Sequence, residues 1–207
     1  MTIEAHENPS FAEIVNHSSL TVADGMPLVH AFKKLYNLEQ DRIAGIDFMP
    51  DLITECEKHH LSIFLFGSTQ LVLDKLKDEL IRKHPKLKVA GVLSPPYKKQ
   101  FDDADNQLFV ETINLSKPDV VFVSLGCPKQ ETWMAKHTHL IKAPLLGVGA
   151  AFEIHAKVTK RAPVWMQKSS LEWLYRFMQE PKRLFKRYFK TNSLFLALFL
   201  KARLSKK

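Results

Sequence analysis

Four stretches of this chain are apolar almost end to end: 61–66 (LSIFLF), 87–93 (LKVAGVL), 120–125 (VVFVSL) and 144–148 (PLLGV). A strand with one wet face alternates apolar and polar residues. Runs without that alternation need burial on both sides, which a parallel sheet covered by helices on both faces provides. The segments between them have helical periodicity. In QLVLDKLKDELIRKH, Leu73, Leu76 and Leu80 recur at helical spacing with charges on the other side, and 26–36, 50–59, 103–115 and 130–140 also read as helices. The expectation is a Rossmann-like α/β fold, with a further short strand at 20–22 before Asp24.

In open α/β sheets ligands bind beyond the carboxyl ends of the strands. The chain has only seven glycines, and Gly25, Gly67, Gly126 and Gly149 each follow an apolar run. The corners that matter are therefore 23–25, 67–69, 126–131 and 149–152. At 126–131 (GCPKQE), Pro128 suits a first helical turn, where its missing N–H costs nothing. Free N–H groups and the helix dipole favour an anion there, Lys129 adds a point charge, and Gln130 donates and accepts. A phosphate or pyrophosphate site and a plain helix start both remain open. The corner is not a P-loop, because the second glycine and the Lys-Ser/Thr pair are missing. Asp24 reads as a helix cap or as a general base at the strand ends, and pattern alone favours the cap. GVGAAF (147–152) lacks the third glycine and the distant acid of a dinucleotide fingerprint, so close strand–helix packing is preferred.

Other chemistries find little support. Cys56 and Cys127 are the only cysteines, too few for a disulfide scaffold or a thiolate zinc site, so a reducing cytoplasm is expected. His59-His60, His137-x-His139 and His155 have no carboxylate completing a zinc set, so no metal is expected. No G-x-S-x-G elbow is present. The start, MTIEAHENPSF, does not read as a signal peptide, and no apolar run reaches the ~18 residues of a membrane span.

Charge is unevenly placed. From Lys157 onward there are 14 Lys and Arg against two acids, Glu172 and Glu180, a net of +12, so the residues before it carry −4 of the +8 total. Trp165, Trp173, Tyr175, Phe177, Phe185, Tyr188 and Phe189 are interleaved with these cations. Pro181 breaks or starts a helix, and LFLALFL (194–200) is apolar all round. This composition predicts a basic amphipathic helical appendage, 157–207, on an α/β body of 1–156. Aromatics with flanking cations suit an anionic membrane surface. A basic helical hairpin packed on the body and a nucleic-acid-binding tail are the competing readings. The apolar tail is not needed for nucleic acid, so no nucleic-acid partner is expected.

Taken together, VADGMPLV (22–29), DRIAGID (41–47), SLGCPKQE (124–131), and the run from GVGAAF (147–152) through KRAP (160–163) to LEWLYRFMQEPKR (171–183) resemble the WecG/TagA/CpsF glycosyltransferases. The likeness covers nearly the whole chain. It implies an inverting, metal-independent transfer, without a cofactor, from a UDP-sugar of the N-acetylmannosamine type, its uronic acid, or a hexose. The acceptor implied is a polyprenyl-pyrophosphate-linked sugar in bacterial surface-polysaccharide biosynthesis. The location implied is the cytoplasmic face of the inner membrane, held peripherally, with self-association. By resemblance the body, 1–156, is the catalytic domain, Asp24 is the catalytic base, and Arg42, Gly126, Lys129, Gln130, Glu131 and Gly149 bind substrate. Arg176, Arg183 and Arg187 of the appendage close over the diphosphate. Competing functions are a non-catalytic nucleotide-binding protein and a basic nucleic-acid-binding protein. Family chains begin with a strand carrying Thr-x-Asn, and by that comparison the first strand is missing here. Where many members have glycine, this chain has Ser68, Lys157 and Ser170.

Overall fold

A computed structural model describes residues 1–205, the side chains of Lys168, Arg183, Lys186 and Arg187 excepted. The chain divides into two compact units. One is Glu13–Ser19 with Gly45–Thr159, and the other is Met1–Ala12, Leu20–Ala44 and Lys160–Lys207. The division falls inside α2 (Pro9–Asn16).

The first of these units is built on four parallel strands, β1 (Ser62–Gly67), β2 (Lys88–Leu93), β3 (Val120–Ser124) and β4 (Leu145–Gly147), in the order β2-β1-β3-β4. The two central strands are the apolar ones. Ile63, Phe64, Leu65, Phe66, Val121, Phe122 and Val123 are all fully buried. Alternate residues serve opposite faces, as the pleat requires. Ile63, Leu65 and Phe122 pack with α4 (Gly45–Lys58), α5 (Gln70–Lys83) and α8 (Ala151–His155). Phe64, Phe66, Val121 and Val123 pack with α6 (Asp103–Ser116) and α7 (Lys129–His137). The result is the Rossmann-like parallel sheet flanked by helices that the runs predict.

Helix starts follow side-chain chemistry. Thr69 caps α5 by accepting from Val72 N, and Asp102 and Asp105 form a reciprocal capping box on α6. The helix expected from residue 50 instead begins at Gly45, with Pro50 inside it. Proline cannot donate to the carbonyl four residues back. That carbonyl, of Ile46, accepts from His155 Nε2 at 2.8 Å. The histidine of α8 thus supplies the hydrogen bond that Pro50 omits, and this fixes its ring tautomer.

The second unit contains α1 (Thr2–Glu7), α3 (Met26–Tyr36), α9 (Val164–Lys168), α10 (Glu172–Gln179) and α11 (Pro181–Leu204). Pro181 starts α11, which runs 24 residues through the apolar segment to Leu204. Helix α11 packs on α1, α3 and α10, and Lys190 pairs with Glu7 at 2.7 Å. The expected strand at 20–22 is not formed. The segment has no regular secondary structure, Leu20 is exposed, and the backbone bond at its end runs from Ile43 N to Ala23 O, 3.0 Å. Three residues with one exposed apolar end do not give the two-sided burial that holds β1 and β3. Among the described residues no helix is long and apolar enough to cross a membrane.

Candidate functional site

The sheet has one point where consecutive connections leave in opposite directions. The chain passes from β1 to its neighbour β2, and from β3 to β4 on the other side. The crevice between β1 and β3 at their carboxyl ends is the site such a topology creates. Gly67 makes the crossing possible. Its φ is +121°, and a Cβ there would overlap the Ser124 carbonyl. Ser68 N then donates to Ser124 O at 3.0 Å.

The corner at 126–131 lies on the β3 side of this crevice. The Cys127–Pro128 peptide is cis, Pro128 sits at the N-cap of α7, and Gln130 N donates to Gly126 O at 2.8 Å. Gln130 is 5% exposed. Its Oε1 accepts from Gly149 N (3.1 Å), and its Nε2 donates to Glu131 Oε1 (3.2 Å). The Gly149 carbonyl accepts from Ser124 Oγ at 2.7 Å. The Gly149 residue, at φ +54°, is therefore gripped on both its N–H and its carbonyl. A Cβ at Gly147 would overlap the Gln130 amide, which would have to shift. This is the close packing expected of GVGAAF, with a buried carboxamide as the packed group.

Lys129 Nζ donates to the Lys98 carbonyl at 2.6 Å and lies 3.5 Å from the centroid of the Phe101 ring. Burial lowers its pKa, against the opposing pull of Asp105. The Lys98 carbonyl bond ties Lys129 to the loop between β2 and α6. Burial, then the Glu131 carboxylate, pushes the Cys127 thiol up, which argues against a thiolate nucleophile. Two buried carboxylate oxygens, Glu131 Oε2 and Glu153 Oε2, have no hydrogen-bond partner among the described residues. His137 is buried, hydrogen-bonded to Trp133 O and stacked on that ring. Among the described residues no cluster of three or more His, Cys, Asp or Glu could hold a metal ion.

In the other unit the Ala23–Ile43 backbone bond brings together the two motifs that carry Asp24 and Arg42. Asp24 is exposed and precedes α3, whose N-cap is Gly25 without a side-chain cap bond. The cap position thus falls one residue beyond Asp24. Arg42 Nη1 pairs with Glu172 Oε2 at 3.4 Å, and Arg161 Nε donates to Glu172 Oε1 at 2.9 Å. The Glu172 side chain is 13% exposed, so one nearly buried carboxylate orients two guanidiniums. Arg176 is half-buried on α10. The side chains of Arg183 and Arg187 lie outside the described residues.

Sequence reasoning places 126–131 and 149 at two separate strand-end corners, and the structure joins Gln130, Glu131 and Gly149 by hydrogen bonds. The same reasoning marked Ser68 only as a departure from glycine, and did not single out Glu153, Arg161 or Glu172 as site residues. A signal existed for Glu172: it is one of only two acids among 14 cations, and a lone acid in a basic run has partners to find. Nothing local pointed to Glu153 as the partner of Ser68, because their pairing joins segments 85 residues apart.

A model of the glycosyl transferase WecG/TagA/CpsF family matches residues 1–207. Two relatives from Staphylococcus aureus, strains MW2 and NCTC 8325, are each 32% identical over 181 residues, covering 87% of this chain and 69% of theirs. Both are named N-acetylglucosaminyldiphosphoundecaprenol N-acetyl-beta-D-mannosaminyltransferase.

Proposed function

Because the chain belongs to the WecG/TagA/CpsF family, it is a glycosyltransferase, and we propose that it moves a sugar from a UDP-linked donor to a polyprenyl-pyrophosphate-linked sugar, with inversion, in surface-polysaccharide assembly. The donor is of the N-acetylmannosamine type, its uronic acid, or a hexose. The relatives' names make an N-acetylmannosaminyl group and an N-acetylglucosaminyl-diphosphoundecaprenol acceptor the first pair to test.

The acceptor hydroxyl attacks the anomeric carbon from the face opposite the UDP. The Asp24 carboxylate takes the hydroxyl proton as the new C–O bond forms. The bond from the anomeric carbon to the β-phosphate oxygen breaks, and UDP leaves with the electron pair. Its growing charge calls for fixed cations and N–H dipoles. Arg42, Lys129, Arg176, Arg183 and Arg187 are the cations assigned to it, while Gly126, Gln130, Glu131 and Gly149 frame the donor's corner.

The observation that carries this reading is the arrangement around Asp24. An exposed carboxylate stands beside a motif whose arginine, Arg42, is oriented by Glu172. A solvent-exposed carboxylate to take the proton and a guanidinium held in place are what the transfer needs. A peripheral membrane location at the cytoplasmic face is supported by α11, which carries seven Lys and Arg and no acid and exposes Phe185, Phe189, Leu196 and Leu200.

The test is acceptor-dependent UDP release from a panel of UDP-sugars with a lipid-linked N-acetylglucosamine acceptor, for wild type and Asp24→Asn. One donor is expected to react, with the rate falling at least ~100-fold in Asp24→Asn. An unchanged rate in Asp24→Asn would refute the base assignment.

A further inference from the structure

Ser68 is held in place from three sides at the crevice between β1 and β3. Its N–H donates to Ser124 O at the end of β3. Its carbonyl accepts from Ser94 Oγ, just past β2, at 2.9 Å. Its backbone sits at φ +56°, in the left-handed region, where a serine is strained and glycine is not. Its hydroxyl donates to Glu153 Oε1 at 2.8 Å. The other oxygen of that carboxylate, Oε2, is buried without a hydrogen-bond partner among the described residues. A buried carboxylate oxygen left unpaired is costly, so its persistence asks for an explanation such as a missing donor.

We propose that Ser68 is a positioning residue, turning the Glu153 carboxylate so that Oε2 accepts a hydrogen bond from a hydroxyl of the bound sugar nucleotide. The inference rests on the sugar-nucleotide reading above. A carboxylate at the switch point accepts from hydroxyls, and a hydroxyl pair on a ribose is a ligand such a site can hold. The transferred sugar carries hydroxyls of the same chemistry. Where glycine would serve the backbone better, the serine adds one bond, and that bond goes to Glu153.

The test is calorimetric binding to the full chain of UDP, 2′-deoxy-UDP, 3′-deoxy-UDP and UDP-N-acetylglucosamine. The variants are Ser68→Gly, which keeps the left-handed backbone, Ser68→Ala, and Glu153→Gln. Wild type is expected to lose about tenfold in affinity for the analogue lacking the recognised hydroxyl. Ser68→Gly is expected to weaken UDP to a similar extent but to leave that one analogue unchanged. If the hydroxyl belongs to the transferred sugar, the loss appears with UDP-N-acetylglucosamine and not with UDP. Equal weakening of every ligand would reduce Ser68 to a structural corner and overturn the proposal, as would no weakening of any. A wild-type chain that binds no uridine nucleotide would refute the sugar-nucleotide reading itself, a different outcome from either of these.

Discussion

Replacing Ser170 by glycine should stabilise the unit that contains the appendage. Helix α9 ends in a six-residue capping pattern: Leu171 N donates to Met166 O at 2.8 Å and Ser170 N to Gln167 O at 3.2 Å. The residue between the cap and Leu171 must be left-handed, and Ser170 has φ +60°. A side chain in that region costs about 1–2 kcal/mol. Glycine removes this cost but adds about 0.5–1 kcal/mol of unfolded-chain entropy, and both backbone bonds remain. The net expected gain is about 0.5–1 kcal/mol, or roughly 1–4 °C in Tm for a chain of this size. With two units in the chain, a single global transition is not assumed. Trp165 and Trp173 flank the motif and report on it by fluorescence in a urea titration. Ser170→Ala is the control, since it keeps the strained backbone and loses only the hydroxyl. If Ser170→Gly unfolds at the same urea concentration as Ser170→Ala, or earlier, the strain argument is wrong.

Two further perturbations separate other effects. Gly67→Ala combines an unfavourable φ with overlap on the Ser124 carbonyl and should cost about 3 kcal/mol, whereas Gly126→Ala, at φ +76° with nothing within 4 Å, should cost about 1 kcal/mol; similar urea midpoints for the two would contradict the crowding at β1–β3. The Glu79 carboxyl is lowered from 4.5 to about 2 by hydrogen bonds from Arg82 and then Lys157, so its stabilisation is present above about 4.5 and is lost as pH falls toward about 2. Glu79→Gln should flatten the fall of stability through that acid window, and an unchanged slope would remove Glu79 from the acid response.

Much of the scaffold was legible because burial writes itself into local sequence. The runs at 61–66, 87–93 and 120–125 became β1, β2 and β3 to within a residue or so, most plainly for the central β1 and β3, since buried parallel strands tolerate few polar side chains. Helix α3 runs Met26–Tyr36 as its pattern indicates. The start of α4 was hidden because a proline reads locally as a helix beginning. What allows Pro50 to lie inside instead is the His155 contact with Ile46, 109 residues away. The segment 20–22 shows the opposite error, an apolar pattern too short to secure two-sided burial.

By itself the sequence determined the layered α/β fold, the corners where strands hand over to helices, and, through its motifs, the family. Each follows from short-range patterns: apolar runs, turn glycines and residues adjacent in the chain. It also marked Ser68, Lys157 and Ser170 as departures from glycine, and all three have positive φ. Only the tertiary structure decided what the polar groups at those corners do. Gln130 holds Gly149 across 19 residues, Ser68 reaches Glu153 across 85, and Arg42 meets Glu172 across 130. Hydrogen bonds act over about 3 Å in space and are indifferent to separation along the chain, so the partner of a buried amide or carboxylate is fixed only when packing brings distant segments together.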